Sequence, residues 1–185
     1  MDKAASIFLR ADIHPDDLRA MAHWLRSRRV TRYLNEDVSA PEQLEQLLFS
    51  TPAPLLTCRM NQHGRFFLVC RDWDVPIGFV KLTEQGAGVH EIVFAIGDES
   101  LWGLGYGSRA VRAALDTAFL SLRARKLVAR IYHGNQRSVN TVLGCGFSLE
   151  KRGRDLDAYS ISMADYLEMM SAPEQNVRKP SGSLA

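Results

Sequence analysis

The sequence predicts a mixed α/β or α+β domain built on one mixed sheet, on three observations. Helical and strand-like hydrophobic periods alternate along the chain, in the order β, α, α, β, β, β, α, β, α, β. The length, 185 residues, suits one domain whose core needs no disulfide or metal. The composition is that of a globular protein, 46% hydrophobic and 24% charged.

Each element has a local reason. A first strand is predicted over residues 6–11. A helix follows over 15–29, with Leu18, Met21, Ala22 and Leu25 on one face; Pro15 suits its first turn, and Asp16 and Asp17 suit the positive end of its dipole. A second helix starts near Pro41, with Leu44, Leu47 and Leu48 apolar, and stops at Thr51-Pro52-Ala53-Pro54. The period then shortens. Residues 66–70 and 76–82 form a hairpin around Arg71-Asp72-Trp73-Asp74, and a turn at Gln85-Gly86-Ala87-Gly88 leads to a largely apolar, central strand, Val89–Ile96. Residues 108–122 form an amphipathic helix whose buried stripe is Val111, Leu115, Ala118, Phe119 and Leu122. Lys126–Tyr132 is a strand, 136–144 a short helix, 150–156 a charged loop, 158–163 a last strand and 165–170 a weak helical turn. The domain is expected to span 1–170, with 171–185 a frayed polar tail.

Composition also narrows the function. Lys plus Arg number 23 and Asp plus Glu 21, a net charge of +2. That balance lacks the clustered basic excess of a nucleic-acid binder. The cations are mostly arginine, suited to fixed-geometry contacts with carboxylate or phosphate. No apolar run reaches the roughly 20 residues that cross a bilayer, and Met1-Asp2-Lys3-Ala4-Ala5 does not open a secretory signal. Neither a membrane nor a nucleic-acid partner is expected. Cys58, Cys70 and Cys145 are odd in number and form no C-x-x-C pair, so a reducing cytoplasm is the expected compartment. His14, His23, His63, His90 and His133 fall at no ligand spacing, so no metal is expected.

The informative stretch runs Ile96-Gly97-Asp98-Glu99-Ser100-Leu101-Trp102-Gly103-Leu104-Gly105-Tyr106-Gly107-Ser108, between a strand and a strong helix. Three glycines in five residues let the backbone approach a ligand, and the helix start offers unpaired N–H groups to an anion. A tight turn that merely packs helix on strand accounts for one glycine, not three. The loop therefore reads as a phosphate cradle. It lacks the Gly-Lys-Ser/Thr of a Walker loop. Its G-x-G-x-G spacing departs from the dinucleotide G-x-G-x-x-G, and few strands follow it, so NAD binding is the weaker reading.

The loop resembles motif A of the GNAT N-acetyltransferases, Gln/Arg-x-x-Gly-x-Gly/Ala, here Trp102-Gly103-Leu104-Gly105-Tyr106-Gly107. Trp in place of the usual first residue resembles the branch of ribosomal-protein N-terminal, polyamine and aminoglycoside acetyltransferases. His90-Glu91-Ile92-Val93-Phe94-Ala95-Ile96 resembles the preceding strand, which in that branch often carries Glu-Ile. Asn135-Gln136-Arg137-Ser138 with Gly146-Phe147 resembles the downstream Asn-x-x-Ser…Gly-Phe element, and Trp24-Leu25…Val30…Tyr33-Leu34 the N-terminal helix region. The resemblance spans about residues 6–163.

It implies a splayed mixed sheet flanked by helices, with acetyl-CoA as cosubstrate between two parallel strands. Pantetheine would lie along Phe94, Ala95 and Ile96. The pyrophosphate would sit on the N–H groups of Leu104, Gly105, Tyr106, Gly107 and Ser108, beside Trp102 and Gly103. Asn135 would contact the cofactor, cap the next helix, or both. The implied reaction is direct acetyl transfer to a primary amine: a small molecule or a protein N-terminus, with polyamine, aminoglycoside and amino acid all open. The enzyme would be a monomer or homodimer. An amine must lose its proton to attack a thioester, so a base helps. Glu91, in an otherwise apolar strand, is the candidate base, with desolvation expected to raise its pKa; orienting a cationic substrate or forming a core salt bridge are its other roles, and His90 is the rival base. Trp24 and Tyr33 are candidate acceptor contacts, with Glu36, Asp37 and Tyr159 further ones.

One departure matters. Many family members have a tyrosine four residues after the Ser of Asn-x-x-Ser, acting as acid toward the leaving thiolate; this chain has Val142. Ser138 and Tyr132 do not occupy that position, so no general acid is assigned. A second reading therefore stands beside the enzyme: a CoA-binding sensor or partner protein with weak or lost catalysis.

Overall fold

The computed structural model describes residues 6–34 and 39–171. One sheet contains β1 (Ile7–Arg10), β2 (Arg65–Arg71), β3 (Val75–Gly86), β4 (Val89–Ile96), β5 (Lys126–Tyr132), β6 (Ser148–Lys151) and β7 (Leu156–Ser162). Their spatial order is β1-β2-β3-β4-β5-β7-β6. Every neighbouring pair is antiparallel except β4–β5, which is parallel. The helices are α1 (Pro15–Leu25), α2 (Arg28–Thr31), α3 (Ala40–Ser50), α4 (Leu56–Met60), α5 (Tyr106–Asp116), α6 (Gln136–Leu143) and α7 (Met163–Ser171).

Strand alternation divides the core in two. On one face Val80, Leu82, Ile92, Leu127, Ala129 and Ile131 pack against α5, whose Ala110, Val111, Ala114 and Leu115 are fully buried. On the other face Phe66, Leu68 and Phe79 pack against Leu18, Met21, Trp24 and Leu25 of α1 and Leu56 of α4, with Val93 and Ala95 alongside. In β4 the even positions thus face α5 and the odd positions face α1.

The expected elements are present with shifted ends. The single helix expected over 15–29 breaks at Ser27, whose hydroxyl accepts from the Arg29 N–H (3.3 Å), donates to the Glu99 carboxylate (2.5 Å) and starts α2. The helix expected from Ser108 starts at Tyr106, and its last turn, Thr117–Ser121, widens to π geometry. The loop expected over 150–156 is in part β6, a fully exposed, charged edge strand paired only with β7; nothing in its own pattern marks it as a strand. The weak turn near the C-terminus is α7, held by buried Tyr166, whose ring packs tilted against Phe119 and whose hydroxyl donates to Asp116 (2.7 Å). Burial pushes that phenol up to about 12. The expected tail begins at the last residue of α7; the rest of it, and Glu36 and Asp37, lie outside the described residues.

Asp17 sits in the first turn of α1, as expected, and is also buried. Its carboxylate accepts from both terminal nitrogens of Arg10 (2.7 and 3.0 Å) and from the His14 N–H (2.6 Å), tying α1 to β1. Arg10 also pairs with Asp74 (2.9 Å) and donates to the Asp12 carbonyl (2.8 Å), so losing Asp17 removes its two hydrogen bonds to Arg10 and the acceptor of the His14 N–H without stranding the guanidinium. Asp17→Ala is expected to cost about 2–3 kcal/mol in urea unfolding. A loss under about 1 kcal/mol would show that the Arg10–Asp17 pair contributes no more than an exposed one.

Candidate active site

β4 and β5 pair over only three positions, Val89↔Lys126, His90↔Leu127 and Glu91↔Val128. Past Glu91 the strands diverge. β4 stays hydrogen-bonded to β3 as far as Ile96↔Gly78, and β5 to β7 as far as Tyr132↔Leu156. The backbone of Ile92 to Ile96 therefore turns an unpaired edge toward β5, and the gap opens into a cleft of about 720 Å³. That volume is in the range of cofactor-sized sites.

The glycine loop closes one end. Gly103 and Gly105 have φ of +81° and +79°, the left-handed region that side chains disfavour. Gly105 precedes α5 and supplies no capping side chain; the first backbone bond of the helix is from the Arg109 N–H to the Gly105 carbonyl (3.2 Å). The N–H groups of Tyr106, Gly107 and Ser108 are thus presented at the cleft with the positive end of the dipole behind them. Trp102 ties the loop to β4, its indole N–H donating to the Ile96 carbonyl (2.8 Å). The guanidinium groups of Arg137 and Arg29 stand 4.0 and 5.5 Å from its ring centre.

Of the predicted cofactor contacts, Phe94, Ala95, Ile96, Trp102, Gly103, Gly105, Tyr106, Gly107, Ser108 and Asn135 line the cleft; Leu104 is exposed and does not. Asn135 caps α6, its side chain accepting from the Ser138 N–H (3.3 Å), and lines the cleft as well. Glu91 lines the cleft on the face toward α1, at the last paired position. Its carboxylate forms an ion pair, one of the roles considered for it: Arg130, on the same face of β5, donates to it. Tyr33 also lines the cleft and reaches across to Gly134, where an added Cβ would meet its hydroxyl at 2.9 Å. Trp24 is placed elsewhere. It is buried against Gly97, where a Cβ would sit 2.1 Å from the indole, and it packs the α1 core rather than the cleft. Tyr159 lines a smaller cavity with His133 and Asp157. Sequence reasoning missed Arg29, Arg32, Arg130 and Arg137, because they come from α2, the turn after it, β5 and α6 and only the fold brings them to one cleft.

The sequence profile described as Acetyltransferase (GNAT) domain matches residues 7–148. The chain belongs to the GNAT acetyltransferase family. It is an acyltransferase by that membership, and acetyl-CoA is the cosubstrate. The chain is 25% identical over 162 residues to the uncharacterized N-acetyltransferase p20 of Bacillus licheniformis, covering 80% of this chain and 87% of the relative. Among solved structures it is similar to aminoglycoside acetyltransferase AAC(6')-Ib in complex with coenzyme A, with a TM-score of 0.74 at 16% identity over 90% of this chain and 100% of that one. It is also similar to spermidine N-acetyltransferase from Vibrio cholerae in complex with CoA and spermine, with a TM-score of 0.71 at 24% identity over 87% and 98%.

Two features bear on GNAT chemistry here. Val142 is fully buried in the α5 core and offers the cleft nothing, while its neighbours Ser138 and Thr141 line it. Cys145 is buried with its thiol directed to the Ser108 carbonyl (3.5 Å), and burial pushes that thiol up from its ordinary value. A protonated, enclosed thiol is a poor acyl acceptor.

Gly105→Ala forces a side chain into left-handed backbone where space alone is free. It is expected to cost about 1 kcal/mol in stability and to weaken CoA binding by calorimetry. Unchanged affinity would separate the loop from phosphate recognition.

Proposed function

We propose that the protein is an acetyl-CoA-dependent N-acetyltransferase that moves the acetyl group directly to a primary amine. The observation that carries this reading is the unpaired edge of β4 leading to the glycine loop and the bare N-terminus of α5. Pantetheine would bond to the backbone of Phe94, Ala95 and Ile96 as an added strand. The pyrophosphate would take the N–H groups of Gly105 to Ser108, with Trp102, Arg29 and Arg137 beside it. The relatives named for aminoglycoside and spermidine acetylation support an amine as acceptor. Free Cys58, Cys70 and Cys145 suit a reducing compartment such as the cytoplasm.

Glu91 is the catalytic base in this reading. The acceptor arrives as an ammonium and displaces Arg130 from the carboxylate, which takes one proton. The free nitrogen attacks the thioester carbonyl, a C–N bond forms, and the C–S bond breaks. The sulfur leaves as a thiolate and takes the second nitrogen proton through water, while the proton held by Glu91 passes to solvent, so one proton is released overall. CoA thiolate is a fair leaving group, and the burial of Val142 does not stop the reaction.

Acetyl-CoA at about 100 times its Kd is expected to add roughly 2.7 kcal/mol, raising Tm by about 5–10 °C. No shift in folded, cofactor-free protein would remove the reading. Glu91→Gln is expected to lower kcat/KM at least about tenfold, or ~1.4 kcal/mol. An unchanged rate across pH would remove Glu91 as the base, and tight acetyl-CoA binding with no turnover of any amine would favour the sensor.

A further inference from the structure

Charge is distributed unevenly around the cleft. Its described lining carries four guanidinium groups, Arg29, Arg32, Arg130 and Arg137, and one carboxylate, Glu91. Arg29 and Arg137 gather at Trp102 by the glycine loop, and Arg29 is further paired with Glu99 (2.8 Å). Arg32 and Arg130 stand on the α1 side. Arg32 lies 5.1 Å from the ring centre of Tyr33, and Arg130 is on Glu91. The only described carboxylate that an acceptor amine meets in the cleft is thus already neutralised.

This constrains the acceptor. A polycation placing one ammonium on Glu91 would displace Arg130, whose side chain is 43% exposed, toward solvent without giving it a partner in the cleft. Its remaining cations would then sit beside Arg130 and Arg32. A simple monoamine, bound as its ammonium, would likewise give Arg130 no partner in the cleft. A zwitterion replaces both partners. Its ammonium takes the place of Arg130 on Glu91, and its carboxylate takes the place of Glu91 on Arg130. Guanidinium accepts such a carboxylate in bidentate geometry. Glu91 and Arg130 already touch, so the two charges of the ligand need to be only a few ångströms apart, as in an α-amino acid.

We propose that the acceptor is a zwitterionic primary amine, an amino acid whose ammonium binds Glu91 and whose carboxylate binds Arg130. This rests on the N-acetyltransfer reading above and assigns its substrate class. The bonds made and broken are those already given. The carboxylate takes no part in them, and Arg130 is a specificity-determining residue rather than the base.

The test is thiol release from acetyl-CoA with matched acceptors: a set of α-amino acids, the carboxamide of each, spermidine and kanamycin. The best free acid is expected to exceed its own carboxamide and both polycations by at least about tenfold in kcat/KM. Arg130→Gln is expected to raise KM for that acid at least about tenfold and to erase most of the preference for the acid over its carboxamide in kcat/KM. A merely structural role for Arg130 would lower both alike. Arg130→Lys is expected to recover part of the loss. If a polycation or a carboxamide matches the best acid, the zwitterion proposal is overturned and N-acetyltransfer stands. If the protein binds acetyl-CoA by thermal shift yet no amine is turned over, the transfer reading falls and the proposal falls with it.

Discussion

β4 and β5 hold each other for three residues and then part. Two parallel strands that separate leave backbone donors and acceptors facing a gap, and such groups must find water, protein or ligand. The remaining strand pairs keep the gap from closing. β4 is committed to β3 along its whole length, and β5 to β7, so neither can move across without losing a ladder of hydrogen bonds. The cleft is therefore a consequence of sheet topology. The glycine loop and α5 follow directly from β4, which places a helix N-terminus at the mouth of the same gap.

The N-terminal helices keep the other side of this arrangement in place. Trp24 fills the space that a side chain at Gly97 would need, immediately after β4. The Arg10–Asp17 pair ties α1 to the edge strand, and Ser27 bonds to Glu99 ahead of the glycine loop. α1 and the turn that leads to α2 thus touch the edge strand, the residue after β4 and the loop beyond it. Misplacing it would move Arg32 and Tyr33 relative to Glu91, which couples N-terminal packing to the geometry of the cleft.

Those elements whose residues answer to a single local rule were legible in the sequence. β4 and β5 were read to the residue because their apolar runs are long and bounded by turns. The glycine loop was legible because positive φ has a residue signature. β6 was not, since an exposed edge strand of four residues has neither alternation nor burial. Trp24 was misplaced for a related reason: its position beside the apolar stripe of α1 does not say whether the neighbouring surface is cleft or core, and Gly97, 73 residues away in sequence, decides it. The partner of Glu91 was equally hidden. Arg130 is one arginine in a strand, and only the parallel register brings the two together.

Fold likeness does not carry substrate across this family, and the charges in the cleft show how that separation arises physically. In the proposed reading the splay, the loop and the helix end serve the shared cosubstrate, a thioester on a phosphate-bearing carrier. They involve backbone atoms, and many side-chain combinations tolerate them. In the proposed reading the acceptor is met by Glu91, Arg130, Arg32 and Tyr33, which line the cleft from a strand on each side of the gap and from the turn after α2. Each can change without disturbing a ladder or a core. An ion pair in that place has a particular effect: it holds the carboxylate and the guanidinium at the spacing of their own contact until a ligand exchanges them. Selection then depends on whether the ligand returns a partner to both charges, a requirement that the sheet itself does not impose.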